Sequence, residues 1–148
     1  MPRWIDLPPV WLAGFALLVL LQERVLPLGG FPPALGWIGW ALIGAGGVLM
    51  ALAAREFMCA RTTIVPHQPP RALVTRGVFA RTRNPIYLGD ALVLAGVVLI
   101  WGDWPGLLAV PAFCAVITTR FIRPEEARLR AAFPDEFAAW AGRVRRWL

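Results

Sequence analysis

Apolar residues run along this chain in four long blocks separated by short polar ones, with lengths that suit helices crossing a bilayer. The clearest block is Leu35 to Ala54, twenty residues without a charge, which matches the ~20 residues needed to cross the hydrocarbon core. Within it Gly39, Gly46 and Ala53 recur every seven residues. That spacing sets them on one helical face, a small-residue surface for close helix packing. Residues 9–26 form a first span, apolar from Pro9 until Gln22, with Trp4 and Trp11 placed to lie near an interface. Residues 86–101 are apolar apart from Asp90, and residues 104–122 apart from Arg120. The turn from Trp101 to Gly106, with Trp101 and Trp104 as interfacial anchors, makes these two a helical hairpin. Beyond it Pro124 opens a helix through Ala132, and Pro134 starts another in which Phe137 and Trp140 share a face. Val144 and Trp147 alternate with Arg143, Arg145 and Arg146, so this tail can lie in the interface with its apolar side down. No strand alternation and no internal repeat appears. The pattern predicts an all-α, polytopic membrane protein, a single domain over residues 1–148. It has four transmembrane helices and short interfacial helices at the C-terminus.

Composition sharpens the picture. A hydrophobic fraction of 58% with eight tryptophans and a mean hydropathy of +0.61 leaves too little polar surface for a water-soluble shell. Charged residues make up 16%, against roughly 25% in soluble domains. The net charge is +6 and every basic residue is arginine. These arginines sit between apolar runs, so anionic headgroups or an anionic ligand explain them better than nucleic acid does. The segment from Arg55 to Pro85 holds six arginines against Glu56 alone, a net +5, and the tail from Arg120 carries a net +3. The connections on the other side hold only Glu23 with Arg24, and Asp103. By the positive-inside rule the loop, the tail and both termini are cytoplasmic, as expected in a bacterial inner membrane. Gln22, Glu23 and Arg24 stand where a cleavage site for a signal would be, so the first helix is expected to stay. Cys59 and Cys114 have no metal-ligand spacing and read as small core hydrophobes.

Candidate chemistry lies in the two basic segments, 62–87 and 123–146. His67, the sole histidine, sits in a proline-rich stretch and could donate to a ligand, although its position alone favours an ordinary loop histidine. Asn84 and Pro85 make a helix start, with Asn as N-cap and Pro in the first turn, and Tyr87 as an interfacial aromatic. The same start can bind an anion, because a helix N-terminus offers free N–H groups and a positive dipole. Arg83 beside it would complete a site for a carboxylate or phosphate. Glu125 and Glu126 after Pro124 can simply stabilise a helix dipole, with Glu126 paired to Arg130 one turn on. Alternatively they can hold an amino group or ribose hydroxyls where the last span leaves the membrane.

Taken in order, these features form a set: His67-x-Pro-Pro, Leu73-Val74-Thr-x-Gly77-x-Phe79, Arg83-Asn84-Pro85-x-Tyr87-x-Gly89, the hairpin, then Glu125-Glu126-x-x-Leu129-x-x-x-Phe133. The set, spanning about residues 62–146, resembles the isoprenylcysteine carboxyl methyltransferases and the related membrane phospholipid methyltransferases. The resemblance implies a cytoplasmic-side site for S-adenosylmethionine, with S-adenosylhomocysteine as product. His67, Leu73, Val74, Gly77, Arg83, Asn84, Pro85, Tyr87, Glu125 and Glu126 would bind the cofactor, and Arg83, Tyr87 and Glu126 would also take part in catalysis. Asn84 departs from the family, where many members have histidine, and it cannot titrate near neutral pH.

The cofactor's chemistry agrees with that site. Arginine and a helix N-terminus suit its carboxylate, glutamate its amino group or ribose diol, and Tyr87 or Trp140 can face a sulfonium. No base for an amine acceptor stands out in the sequence. The reading therefore leans to a carboxylate or similar acceptor on an amphiphile that enters laterally from the lipid. Partners are then membrane lipids and this acceptor, with no nucleic acid, and no oligomeric state can be read. Two alternatives stay open. One is an NADPH-dependent reductase of the sterol and steroid reductase type, which usually has more helices. The other is a non-enzymatic membrane scaffold.

Overall fold

A computed structural model describes residues 7–61 and 72–148. Six α-helices are present: α1 (Pro8–Val25), α2 (Pro33–Cys59), α3 (Pro85–Trp101), α4 (Ala109–Ile117), α5 (Arg123–Ala132) and α6 (Pro134–Ala141). Short 3₁₀ turns at Gly77–Ala80 and Pro105–Leu108 precede α3 and α4, and a π segment, Thr118–Ile122, joins α4 to α5. Strands are absent from the described residues, so the all-α expectation holds. Three helical runs, Pro8–Val25, Pro33–Cys59 and Pro105–Ala132, are long and apolar enough to cross a membrane, and α3 is a shorter apolar helix of 17 residues. Leu17, Leu18, Leu21, Trp37, Ile38, Trp40 and Val48 point outward from α1 and α2. In water such a belt would be a large apolar patch; in lipid it is the expected surface.

α3 is the central helix and packs most closely on α2. The face expected from Gly39, Gly46 and Ala53 is buried there, and α3 answers it with Gly89 and Gly96 at the same seven-residue spacing. A Cβ on Gly46 would lie 2.6 Å from the Gly89 carbonyl oxygen, and one on Gly96 would lie 2.5 Å from that of Gly39. The two backbones therefore touch directly, as lipid-embedded helices do where side chains are small. α1 closes the other side, with Trp11 and Phe15 against Leu94 of α3 and Phe113 and Ile117 of α4.

Helix ends depart from expectation in two places. α2 runs past Ala54 to Cys59 and so carries Arg55 and Glu56 within its last turns. Pro124 does not open a separate helix after a break. α4, the π segment and α5 are one continuous run, with Pro124 second in α5. A mid-helix proline lacks an N–H and clashes with the carbonyl four residues back, and the wider π turn just before it relieves both conflicts. Thr118 and Thr119 donate their hydroxyls to the carbonyls of Cys114 (2.7 Å) and Ala115 (3.0 Å), a pattern that bends helices.

The hairpin turn holds a buried carboxylate. Asp103 accepts hydrogen bonds from Gln22 Nε2 (2.9 Å), Leu28 N (3.1 Å) and Gly106 N (3.2 Å), which ties the α1–α2 connection to the α3–α4 turn. The Gln22 bond, with help from the two backbone N–H groups, holds its pKa below the ordinary carboxylate value despite burial. Trp101 and Trp104 beside it are exposed, as interfacial anchors should be.

Two predictions follow from this packing. Gly96→Ala must push α2 and α3 apart and should cost about 1–3 kcal/mol, the usual price of overpacking. Gly44→Ala, whose Cβ would meet nothing within 4 Å, should be neutral; unfolding in mixed micelles separates the two. Because Asp103 has a folded pKa below its unfolded one, its contribution is complete above the unfolded value of about 3.9 and fades as pH falls through the folded one. Asp103→Asn should therefore lower the Tm at pH 7, and its gap to the wild type should close below about pH 4.

Candidate functional site

The segment leading into α3 is clamped by the C-terminal tail. Arg83 N donates to the Arg145 carbonyl at 3.0 Å and Asn84 Nδ2 donates to that of Arg146 at 2.9 Å. Trp140 Nε1 donates to the Phe79 carbonyl at 2.9 Å. Phe137, Trp140 and Val144 are buried with Ala53, Val74 and Phe79 in one cluster. The apolar side of the tail thus faces protein, where the sequence pattern pointed it at lipid. Trp140 spends its indole on this contact and does not line the cavity described below. Asn84 is the residue before the helix, with Pro85 in the first turn, as expected, yet its side chain makes no capping bond. It is turned instead toward the tail carbonyl that it satisfies.

Glu126 is the hinge of the arrangement. Its carboxylate takes Arg83 Nη1 at 3.1 Å on one oxygen, Arg146 Nε at 3.1 Å on the same oxygen and Arg146 Nη2 at 2.7 Å on the other. The Arg146 pair is a bidentate fork, and the hydrogen bond to Glu126 raises the Arg146 pKa further. The expected pairing with Arg130 is replaced: Glu126 turns inward, and the Arg130 guanidinium lies 5.2 Å from the Phe137 ring centre. Two guanidiniums on one carboxylate leave one positive charge over. Arg83 Nε, buried, has no hydrogen-bond partner among the described residues, so an unused donor remains on the residue expected to meet an anion.

Beside this trio lies a cavity of about 450 Å³, within the ~300–1,000 Å³ range of ligand sites. Its walls are Leu7, Pro8 and Pro9 before and at the start of α1, Met50 and Phe57 of α2, Phe79, and the α3 start from Arg83 to Tyr87. Asp90 and Glu125 complete it. The Tyr87 hydroxyl donates to Glu125 Oε2 at 3.1 Å, which links α3 to α5 across the cavity wall. The π segment sets this up, since it carries Glu125 to Tyr87 and the next residue, Glu126, to Arg83.

The expected site residues divide into groups. Arg83, Asn84, Pro85, Tyr87 and Glu125 share the cavity, and Glu126 stands behind Arg83. Leu73 and Val74 pack in the tail cluster instead. Gly77 adopts a positive φ of 58° with the Glu56 carboxylate against it, an approach that a side chain would block. His67 lies outside the described residues. Arg146 and Asp90 belong to the arrangement without having been singled out. Arg146 was one of several tail arginines suited to headgroups, and the one signal for Asp90 was an acid inside an apolar span.

Membrane-length apolar helices, with a cavity between them that ends at a helix N-terminus, mark this chain as an integral membrane protein. The family model for phospholipid methyltransferases matches residues 35–136, and the chain belongs to that family, a family of membrane methyltransferases. No curated protein and no solved structure gives a significant match. The matched stretch includes the α2–α3 contact, the cavity's Arg83–Tyr87 wall and both glutamates, and it stops before Arg146.

The shared carboxylate supplies a prediction. Glu126→Gln keeps the volume but removes the charge between two arginines, and breaking a buried pair costs up to about 3–5 kcal/mol. Amide hydrogen exchange at residues 143–147 should accelerate at least tenfold, while α1 and α2 stay protected.

Proposed function

We propose that this chain transfers a methyl group from S-adenosylmethionine to an amphiphile that reaches the cavity from the bilayer. The observation that carries the reading is Arg83 Nε, without a hydrogen-bond partner among the described residues, at a cavity shared with Asn84, Pro85, Tyr87 and Glu125. Arg83 and the first turn of α3 suit the cofactor's carboxylate. Glu125, already accepting from Tyr87, suits its amino group or ribose diol. Phe57, Phe79 and Tyr87 offer apolar and aromatic surface for the adenine and the sulfonium. The bound cofactor supplies an electrophilic methyl group, and the chain's task is to align an acceptor with it and exclude water, which provides much of the rate in an in-line displacement. Glu126 and Arg146 position Arg83. In this reading α3 is a fourth span beside the three longer runs. The basic loop and tail then face the cytoplasm with both termini, in a bacterial inner membrane.

The test is binding of labelled S-adenosylmethionine and of NADPH to the purified protein. The reading expects the first ligand to bind and the second not to; NADPH binding alone would move the chain to the reductase reading, and neither binding to the scaffold. Arg83→Ala and Glu126→Ala should each weaken cofactor binding about 10- to 100-fold, as loss of a ~1.5–3 kcal/mol hydrogen bond to a charged group implies. Both variants should still insert in the membrane.

A further inference from the structure

We infer that Glu56 is a positioning residue for the cofactor: lying against Gly77, it fixes the turn that carries Phe79 into the cavity wall. The inference rests on the methyl-transfer reading above, in which Phe79 is part of the surface offered to the adenine. Glu56 is the one acid in residues 55–85, against six arginines. It stands in the last turn of α2, where a carboxylate opposes the helix dipole. Three and four residues away on either side are Leu52, Ala53, Cys59 and Ala60, none of them basic, so no ion pair along the helix employs it. α2 itself therefore gains nothing from this residue, and its contacts lie with the loop.

Two contacts lead from Glu56 to the cavity. Its Oε2 accepts from Arg76 Nε at 3.2 Å, and the Arg76 carbonyl in turn accepts from Phe79 N at 3.1 Å. The rest of the side chain lies on Gly77. A Cβ at that position would come within 2.6 Å of Glu56 Oε1, 2.7 Å of Cδ and 3.0 Å of Cγ. Gly77 opens the 3₁₀ turn Gly77–Ala80, whose Phe79 is buried and lines the cavity. Phe79 meets Phe57 edge-on, with ring centres 5.1 Å apart. Phe57 directly follows Glu56 and lines the same cavity. One short stretch of α2 thus supplies both an aromatic wall and the residue that places the ring beside it.

The two contacts differ in weight. The Arg76 side chain is 65% exposed, and an ion pair so open to solvent is screened and worth little. That of Glu56 is 16% exposed, and it packs on a turn that the tail also holds, with Trp140 Nε1 on the Phe79 carbonyl at 2.9 Å. The shape of Glu56, more than its charge, then sets where the turn sits. A gap of ~0.5–1 Å forfeits about a quarter to a half of a dispersion contact. A small shift of this turn is therefore felt by any flat ligand that rests on Phe79.

The experiment uses full-length protein in phosphatidylcholine nanodiscs, with Phe79 replaced by para-fluorophenylalanine in one set of samples. Three quantities are read for wild type, Glu56→Ala, Glu56→Gln, Arg76→Gln and Asp103→Asn: S-adenosylmethionine affinity, the fluorine resonance without cofactor, and the Tm. Glu56→Ala should shift or broaden the resonance, because the ring loses its fixed place beside Phe57. It should also weaken cofactor binding about 5- to 10-fold, the scale of one lost aromatic contact. Glu56→Gln, which keeps the shape, and Arg76→Gln should leave the resonance in place and the affinity within about twofold. Asp103→Asn lowers the Tm from the far end of α3 and should leave both other readouts at their wild-type values, which separates placement from stability. An unmoved resonance in Glu56→Ala overturns the inference, as does an affinity that stays at the wild-type value. Equal damage from Glu56→Gln overturns the role of shape, and equal damage from Asp103→Asn reduces Glu56 to a merely structural residue. Failure of the wild type to bind S-adenosylmethionine sinks the underlying methyl-transfer reading instead, while the resonance still decides whether Glu56 places Phe79.

Discussion

Everything at the polar end of this molecule turns on one carboxylate held between two arginines. Glu126 comes from the helix that leaves the membrane, Arg83 from the segment entering α3, and Arg146 from the tail. These three segments are far apart in sequence and share no regular hydrogen-bonded structure. Buried ion pairs contribute little net stability, because desolvation offsets most of the attraction, so the value of this one is geometric. It fixes the rotamer of Arg83 and the register of the tail, and the tail then satisfies Asn84 with a carbonyl and covers Phe79 with Trp140. Without Glu126 two guanidiniums would sit side by side and repel.

The trio can form only because the backbone beneath it is displaced by one residue. An uninterrupted α-helix from Ala109 to Ala132 would leave Pro124 in conflict with Arg120, and a clean break would release α5 from the hairpin. The π segment does neither. It keeps the helix continuous, accommodates the proline, and presents two neighbouring glutamates to two different partners, Tyr87 and Arg83. Local insertions of this kind gather at functional sites, and here the consequence is visible in the contacts made one turn later.

The membrane helices were legible in the sequence because the bilayer imposes length and polarity directly. The glycine face of α2 was legible because its period equals two helical turns. Its partner face, Gly89 and Gly96, carries the same period but consists of a single pair, which marks a face less clearly than three small residues in register. The tail was harder for a physical reason: a segment with Phe137, Trp140 and Val144 on one side has the same pattern whether that side meets lipid or protein. Only the loop at Val74 and Phe79 decides between them, and nothing local encodes it. Asn84 shows the same limit. Asparagine before proline specifies a helix start, yet the destination of its side chain depends on a carbonyl 62 residues away. Arg83, Pro85, Tyr87 and Glu125 were legible as a set through the family's ordered motif, whereas Leu73 and Val74 belong to that motif and pack away from the cavity.

The cavity is polarised along α3, and this polarity ties the separate features together. At the helix start are Arg83, whose Nε has no hydrogen-bond partner among the described residues, and the positive end of the dipole; one and a half turns deeper is Asp90, whose Oδ2 likewise has none among them. An anionic end and a cationic end are thereby offered places at different depths, along an axis fixed by a helix that cannot slide, because its glycines interlock with those of α2. Under the methyl-transfer reading this is the geometry that the reaction needs. In that reading the donor's carboxylate would meet the Arg83 end of the cavity from the aqueous side, and the acceptor would approach from the lipid side. The same interlocked glycines that bring the α2 and α3 backbones into contact therefore also hold the wall of the cavity in place.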